Sequence, residues 1–111
     1  DAAVLSHGAE IYTRCLACHA IESNRTGPRH CGLFGRKAGT AAGFDGYSPA
    51  LRASGVVWNE QTLDRFLADP PGTVPGTYMT YAGVNASADR RALIAWLAQA
   101  TRPGRDCHPV D

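Results

Sequence analysis

Apolar positions recur at helical spacing in four stretches of the chain, and no stretch shows the two-residue alternation of a half-buried strand. The first runs from about Ala3 to Arg14 and turns Ile11 and Tyr12 inward. Ser48 followed by Pro49 reads as an N-cap with proline in the first helical position, and Gly55 ends that short helix. Asn59 caps a third helix, Glu60 to Ala68, whose Leu63, Phe66 and Leu67 share one face; Pro70 and Pro71 stop it. Ser87 caps the last helix, where Leu93, Trp96, Leu97 and Ala100 form one stripe. The pattern predicts an all-α, loop-rich fold.

Composition bounds the rest. A chain of 111 residues makes one domain, residues 1–111, with a modest core of its own. Twelve glycines and seven prolines lie mostly between the helices, so compactness needs something more than helix-on-helix burial. Lysine and arginine total 11 against 10 acids, a balance with no basic excess to draw nucleic acid. No apolar run approaches the roughly 18 residues a membrane span needs. Asp1 opens the chain without a charged or apolar leader, so any export signal is expected to have been removed.

The chemistry concentrates in Cys15-Leu16-Ala17-Cys18-His19. C-x-x-C-H is the attachment signature of a c-type haem, two thiols adding to the vinyl groups and the adjacent imidazole reaching the iron. The same spacing also serves as a zinc half-site or a thioredoxin-like redox pair. Zinc calls for a second ligand pair, whereas Cys31 and Cys107 stand far apart; a redox pair would follow a strand, and here a helix precedes it. The one methionine, Met79, lies in a loop that reads Pro75-Gly76-Thr77-Tyr78-Met79. A lone methionine is ordinarily core filler. In a loop opposite a haem-attaching histidine it reads as an axial thioether, which raises the iron's reduction potential.

With these residues placed, the chain resembles the class I c-type cytochromes, the mitochondrial cytochrome c and bacterial cytochrome c2 type. Gly8 and Tyr12 precede the attachment motif; Thr26-Gly27-Pro28 and Gly32-Leu33-Phe34-Gly35-Arg36 follow it. Phe44, Tyr47, Val57-Trp58, Pro75-Gly76-Thr77 and Leu93-Ile94-Ala95-Trp96-Leu97 then fall in order, leaving only the first residues and the tail after Ala100 unmatched.

The resemblance implies a small single-haem fold of four to five helices, with Gly8 where the first and last helices cross. It implies one covalently attached haem c, with His19 and Met79 as the metal ligands. It assigns the Pro28 carbonyl to the other ring N–H of His19. Arg36, Tyr47, Trp58 and Thr77 would hydrogen-bond the propionates; the plain alternatives are a surface charge for Arg36 and a core aromatic for Trp58. Phe66 and Leu51 stand where the family often has polar side chains, which suggests a drier methionine side. The family's lysine ring is nearly absent, since Lys37 is the only lysine; Arg14 and Arg25 remain near the motif. His7, His30 and His108 read as exposed imidazoles.

The function so implied is a soluble, monomeric, exported electron carrier of the periplasm, not an enzyme. Its partners would be redox proteins such as an oxidase, a reaction centre or a dehydrogenase. Electrons would pass at a haem edge ringed by Arg14, Ala17 and Tyr81. The alternative is a dedicated subunit or partner of a periplasmic dehydrogenase, or a weak peroxidase with a labile Met79. In that oxidising compartment the remaining cysteines, Cys31 and Cys107, are expected to pair and tie back the tail, residues 101–111.

Overall fold

The computed structural model describes residues 1–104 and residue 107. His108, read as an exposed imidazole, lies outside the described residues, as does most of the tail beyond Gly104. Five α-helices follow one another: α1 (Ala2–Tyr12), α2 (Pro49–Ala53), α3 (Glu60–Ala68), α4 (Pro70–Thr73) and α5 (Ser87–Ala100). Among the described residues there is no strand, only isolated bridges between Lys37 and Val57 and between Gly104 and Cys107.

Caps set most of the boundaries. Asp1 accepts the main-chain N–H groups of Ala3 and Val4 at 2.7 and 3.3 Å, which starts α1 one residue earlier than periodicity suggests. That helix ends at Tyr12, and Thr13–Cys15 tighten into a 3-10 turn. Ser48 caps α2 by accepting from Leu51 N–H at 3.1 Å. Asn59 and Thr62 satisfy each other's main-chain donors at the start of α3, at 2.8 and 2.9 Å.

Two boundaries differ from expectation. Pro70 and Pro71 end α3 but also begin α4, because the first helical positions have no intrahelical use for an N–H; Asp69 caps the new turn through Gly72 N–H at 3.1 Å. Ser87 is the first residue of α5 rather than its cap. Ala86 takes the extended cap conformation and no side chain bonds the first turn. Arg90 fixes the entry from inside the helix, donating to Asp64 Oδ1 (2.8 Å) and to the carbonyls of Val84 and Asn85 (both 2.9 Å).

The core forms where α1 crosses α5 and α3 packs against α5. Ile11 and Tyr12 meet Leu93, Ile94 and Leu97, and Leu63, Phe66 and Leu67 close the layer from α3. A side chain at Gly8 would place its Cβ 2.1 Å from the Ala92 carbonyl oxygen and 2.7 Å from Trp96 Cβ, so the crossing is a backbone-to-backbone approach that only glycine permits. The segment from Leu33 to Ala38 is zipped to Val56–Trp58 by main-chain bonds, among them Gly35 N–H to Trp58 O at 2.7 Å and Trp58 N–H to Arg36 O at 3.0 Å. No helix of the described residues is long and apolar enough to cross a membrane.

Candidate haem-binding site

The 3-10 turn carries the chain off α1 directly into the attachment motif. Cys18 and His19 N–H groups both donate to the Cys15 carbonyl, at 3.1 and 2.9 Å. That closed turn presents two thiols and one imidazole within five residues. Cys15 is half-buried and Cys18 exposed, and neither is in a disulfide. Burial pushes the Cys15 thiol up from its ordinary pKa, with Arg14 opposing. Leu16 beside them leaves 43% of its surface exposed, and Arg25 reaches over to donate to the Leu16 carbonyl at 2.6 Å. Arg25 is therefore fixed against the outer face of the motif.

His19 is buried and rigidly oriented. Its Nδ1 lies 2.8 Å from the Pro28 carbonyl oxygen, and since a carbonyl cannot donate, Nδ1 carries the proton. The other nitrogen, Nε2, is then a bare lone pair, which is the state a metal ligand requires. Burial is the main cause that holds His19 below the usual imidazole range and so neutral, with the Pro28 bond opposing and Arg36 assisting. Gly27 leaves room for the ring, because a Cβ there would sit 2.3 Å from His19 Cε1. Gly27 N–H in turn donates to the Cys18 carbonyl at 2.7 Å, so the Gly27–Pro28 segment is sewn to the motif it supports.

Met79 lies in the loop between α4 and α5, half-buried against the core. Thr77 Oγ1 accepts the Met79 N–H at 3.2 Å, and Thr77 N–H closes a turn onto the Val74 carbonyl at 3.0 Å. At the far end Val84 N–H donates to the Leu67 carbonyl at 2.8 Å, and Gly83, at φ +107°, passes so close to α3 that a Cβ would be 2.6 Å from the Ala68 carbonyl oxygen. Tyr81, like Met79, is half-buried against the core, whereas Tyr78 points outward, 66% exposed.

The remaining candidates occupy inward positions with polar atoms partly engaged. Arg36 donates to the Arg29 carbonyl at 2.8 Å and, less ideally, to the Cys31 carbonyl at 3.3 Å, so its guanidinium stitches the loop after Pro28. It is not the free surface charge of the plain alternative. Tyr47 is buried and its hydroxyl oxygen accepts Ala41 N–H at 2.9 Å, which leaves the O–H available as a donor. Trp58 is buried edge-on to Phe66, ring centroids 5.1 Å apart, and its indole N–H donates to no described residue. Thr77 uses its oxygen as an acceptor for Met79 and keeps its hydroxyl proton. The donor set suits a flat apolar body with anionic edges. Two cysteines outside any disulfide, an Nε2 lone pair and three O–H or N–H groups with no acceptor among the described residues are what a haem with its propionates would use. No group of three or more His, Cys, Asp or Glu that could hold a metal by itself occurs among the described residues, which leaves the zinc reading without its second ligand pair.

Of the histidines read as exposed imidazoles, His7 is exposed and His30 is not. His7 is exposed but engaged, sharing a 2.7 Å contact between Nε2 and Asp89 Oδ1 that clasps α1 to α5. His30 is only partly exposed and stacks on His19, with ring centroids 4.2 Å apart and planes 23° from parallel. Its Nδ1 shares a 2.9 Å hydrogen bond with the Tyr12 hydroxyl. Desolvation, then the neighbouring His19 and Arg36, push His30 well below the usual imidazole range. Nothing local to Arg29-His30-Cys31 signals this contact. The only hint was the Tyr12 hydroxyl, a polar atom on an otherwise apolar helix face that needed a partner.

A helical shell around one attachment turn, with a bare imidazole nitrogen beside two thiols, defines the class of small single-haem electron-transfer proteins. Comparisons with known proteins lead to the same place. Cytochrome c2 iso-2 of Magnetospirillum fulvum is 48% identical over 85 residues, covering 75% of this chain and 88% of that protein. Cytochrome c of Chlamydomonas reinhardtii is 44% identical over 101 residues, covering 87% and 89%. Among solved structures, cytochrome cH from Methylobacterium extorquens superposes with a TM-score of 0.81 at 37% identity, over 85% of this chain and 96% of that one. No protein-family model matches the chain. The chain belongs to the class I c-type cytochromes. Its cofactor is one covalently attached haem c, and its relatives are electron-transfer cytochromes.

Proposed function

We propose that this haem-based electron carrier holds its iron between His19 and Met79 and shuttles single electrons between redox proteins in the periplasm, acting as a monomer. The observation that carries the reading is the His19 tautomer: Nδ1–H donates to Pro28 at 2.8 Å, so Nε2 is available beside Cys15 and Cys18. Haem supplies a one-electron couple; the chain does the rest. The Pro28 carbonyl makes His19 more basic, and the Met79 thioether raises the potential. Phe66 and Leu51 bring no hydrogen-bonding group to the methionine side. Arg36, Tyr47, Trp58 and Thr77 serve the propionates, as buried carboxylates demand. With His19 and Met79 both holding the iron, neither side chain would have to leave for the haem to change oxidation state.

The exposed Leu16, Ala17 and Cys18, with Arg14 and the fixed Arg25 alongside, would form the face through which a haem held here exchanges electrons. The bacterial cytochrome c2 relatives support the periplasmic placing, as does the cysteine pair. The sulfur atoms of Cys31 and Cys107 lie at the bonding distance of 2.03 Å, their Cα atoms 5.5 Å apart and both residues buried. The proposed bridge closes the tail onto the loop that follows Pro28. Two thiols found by titration of the unfolded, unreduced protein would remove the bridge from this proposal.

The deciding experiment for the ligand set is Met79→Ala. The ferric parent should show the weak near-infrared sulfur-to-iron band. The variant should lose it and have a lower potential. A spectrum and potential unchanged in the variant would overturn the assignment.

A further inference from the structure

A hydrogen bond alone does not fix the plane of an imidazole. The bond from His19 Nδ1 to Pro28 leaves the ring free to swing about the N–H···O direction. The missing constraint has to come from something lying flat against a ring face, and His30 is that group, at a centroid distance of 4.2 Å and an interplanar angle of 23°. Gly27 meets the ring at close range as well, near Cε1.

His30 is itself held from two directions. Its main chain is bonded on both sides, His30 N–H to the Ala20 carbonyl at 3.1 Å and Leu33 N–H to the His30 carbonyl at 2.9 Å. Its ring is anchored at Nδ1 by the Tyr12 hydroxyl at 2.9 Å. Tyr12 is buried on α1, and its ring lies 4.7 Å from that of Trp96 on α5. The constraint on the His19 plane therefore begins at the α1–α5 crossing and reaches the ligand through two side chains. The pair is reciprocal. Tyr12 carries a buried hydroxyl that would be costly without a partner, and His30 needs an anchor to keep its ring parallel to the ligand. An apolar residue in place of His30 would fill space but leave the hydroxyl unsatisfied.

We propose that His30 is a positioning residue whose ring, anchored by Tyr12, sets the plane of the His19 imidazole at the iron. This rests on the reading of His19 as an axial ligand. An axial imidazole's plane determines how its π orbitals meet those of the iron, so its setting is read in the electronic structure of the ferric haem and in the potential.

The test uses the holoprotein and three variants: Tyr12→Phe, His30→Leu and the double substitution. Tyr12→Phe keeps the ring and its packing and removes only the anchor. The readouts are the paramagnetically shifted haem-methyl proton resonances, whose pattern follows the imidazole plane, and the midpoint potential. His30→Leu should change the spread of the methyl resonances and move the potential. Tyr12→Phe should move both in the same direction by less, and the double variant should match His30→Leu, since Tyr12 acts only through His30. Methyl patterns and potentials identical to the parent's in the folded variants, with stability alone reduced, would overturn the proposal. Should His30→Leu fail to hold haem, Tyr12→Phe decides by the same criterion. Failure of the underlying reading looks different: the unsubstituted protein would then lack a low-spin, imidazole-ligated ferric spectrum.

Discussion

Replacing Gly8 with alanine opposes two well-calibrated effects, and the structure says which one wins. Gly8 lies inside α1, where alanine is the better helix former by about 1 kcal/mol. Propensity alone therefore predicts a more stable protein. Geometry predicts the reverse, because the new Cβ would stand 2.1 Å from the Ala92 carbonyl oxygen and 2.7 Å from Trp96 Cβ. The first of these is main chain, so no rotamer change relieves it. Restoring normal contact requires α1 and α5 to part by roughly 1 Å, and a gap of that size forfeits up to about half of each facing dispersion contact. Ile11 and Tyr12 face Leu93, Ile94 and Leu97 across this seam, so the loss spreads over the centre of the core. Overpacking of this kind costs about 1–3 kcal/mol, and a backbone clash belongs at or beyond the upper end. The net expectation is a loss of about 2 kcal/mol after the gain in propensity. Guanidinium unfolding of the ferric holoprotein, followed by far-ultraviolet circular dichroism, should show a lower midpoint with an unchanged slope. A midpoint equal to or above the parent's would refute the reasoning, since it would mean that the helices do not cross at backbone contact.

Gly27→Ala should disturb His19, the proposed iron ligand, rather than the core: its Cβ would fall 2.3 Å from His19 Cε1, so the variant should incorporate less haem or show an altered ferric spectrum, and a parent-like yield and spectrum would contradict this. The His7–Asp89 clasp should be visible in the pH dependence of stability. The Asp89 hydrogen bond raises the His7 pKa in the folded protein, so the stabilisation is fully present below the unfolded value of about 6.5 and is lost as pH rises through the folded pKa. Comparing His7→Gln with the parent across that window should show the difference shrinking toward high pH, and a constant difference would rule the clasp out. Finally, docking should depend weakly on salt. The formal charge is only +1 before the two haem propionates are counted and Lys37 is the one lysine, so the second-order transfer rate should fall less than about tenfold between about 10 mM and 200 mM salt; a steeper fall would show a concentrated arginine patch at work.

Much of this architecture was legible because local signals suffice for it. Ser48 and Asn59 cap the helices where their side chains suggested, and Gly8 lies at the crossing where a missing side chain is useful. The misreadings share a cause. Two consecutive prolines say that a helix cannot continue, but not that a new one begins at once, because that depends on the Asp69 main chain turning first. Ser87 has the chemistry of a cap, yet Arg90, reaching to Asp64 twenty-six positions away, sets how the chain enters α5. His30 shows the limit most clearly. Its neighbours in sequence describe a surface loop, and its neighbours in space, His19 and Tyr12, are brought together only by tertiary packing. For Arg36 no local signal chose between a surface charge and an inward one; its bonds to the Arg29 and Cys31 carbonyls, made by tertiary packing, exclude the free surface charge.

The two proposed ligands stand on supports of very different strength, and this has a consequence for the protein under stress. His19 hangs from a hydrogen-bonded turn joined to α1, to the Pro28 segment and to the core aromatics. The Met79 loop is different: among the described residues, the only hydrogen bond made by residues 78–83 is Met79 N–H to Thr77 Oγ1, at 3.2 Å. Segments with so few bonds open at a fraction of the global unfolding free energy. Heat, denaturant or contact with a surface would therefore release the methionine side first, while the covalent attachment, expected at Cys15 and Cys18, would keep the haem in place. The partly opened protein would no longer be a weaker version of the same carrier. It would be a haem protein with a coordination position accessible to small molecules, so damage to this fold would show first as a change of chemistry and only later as a loss of structure.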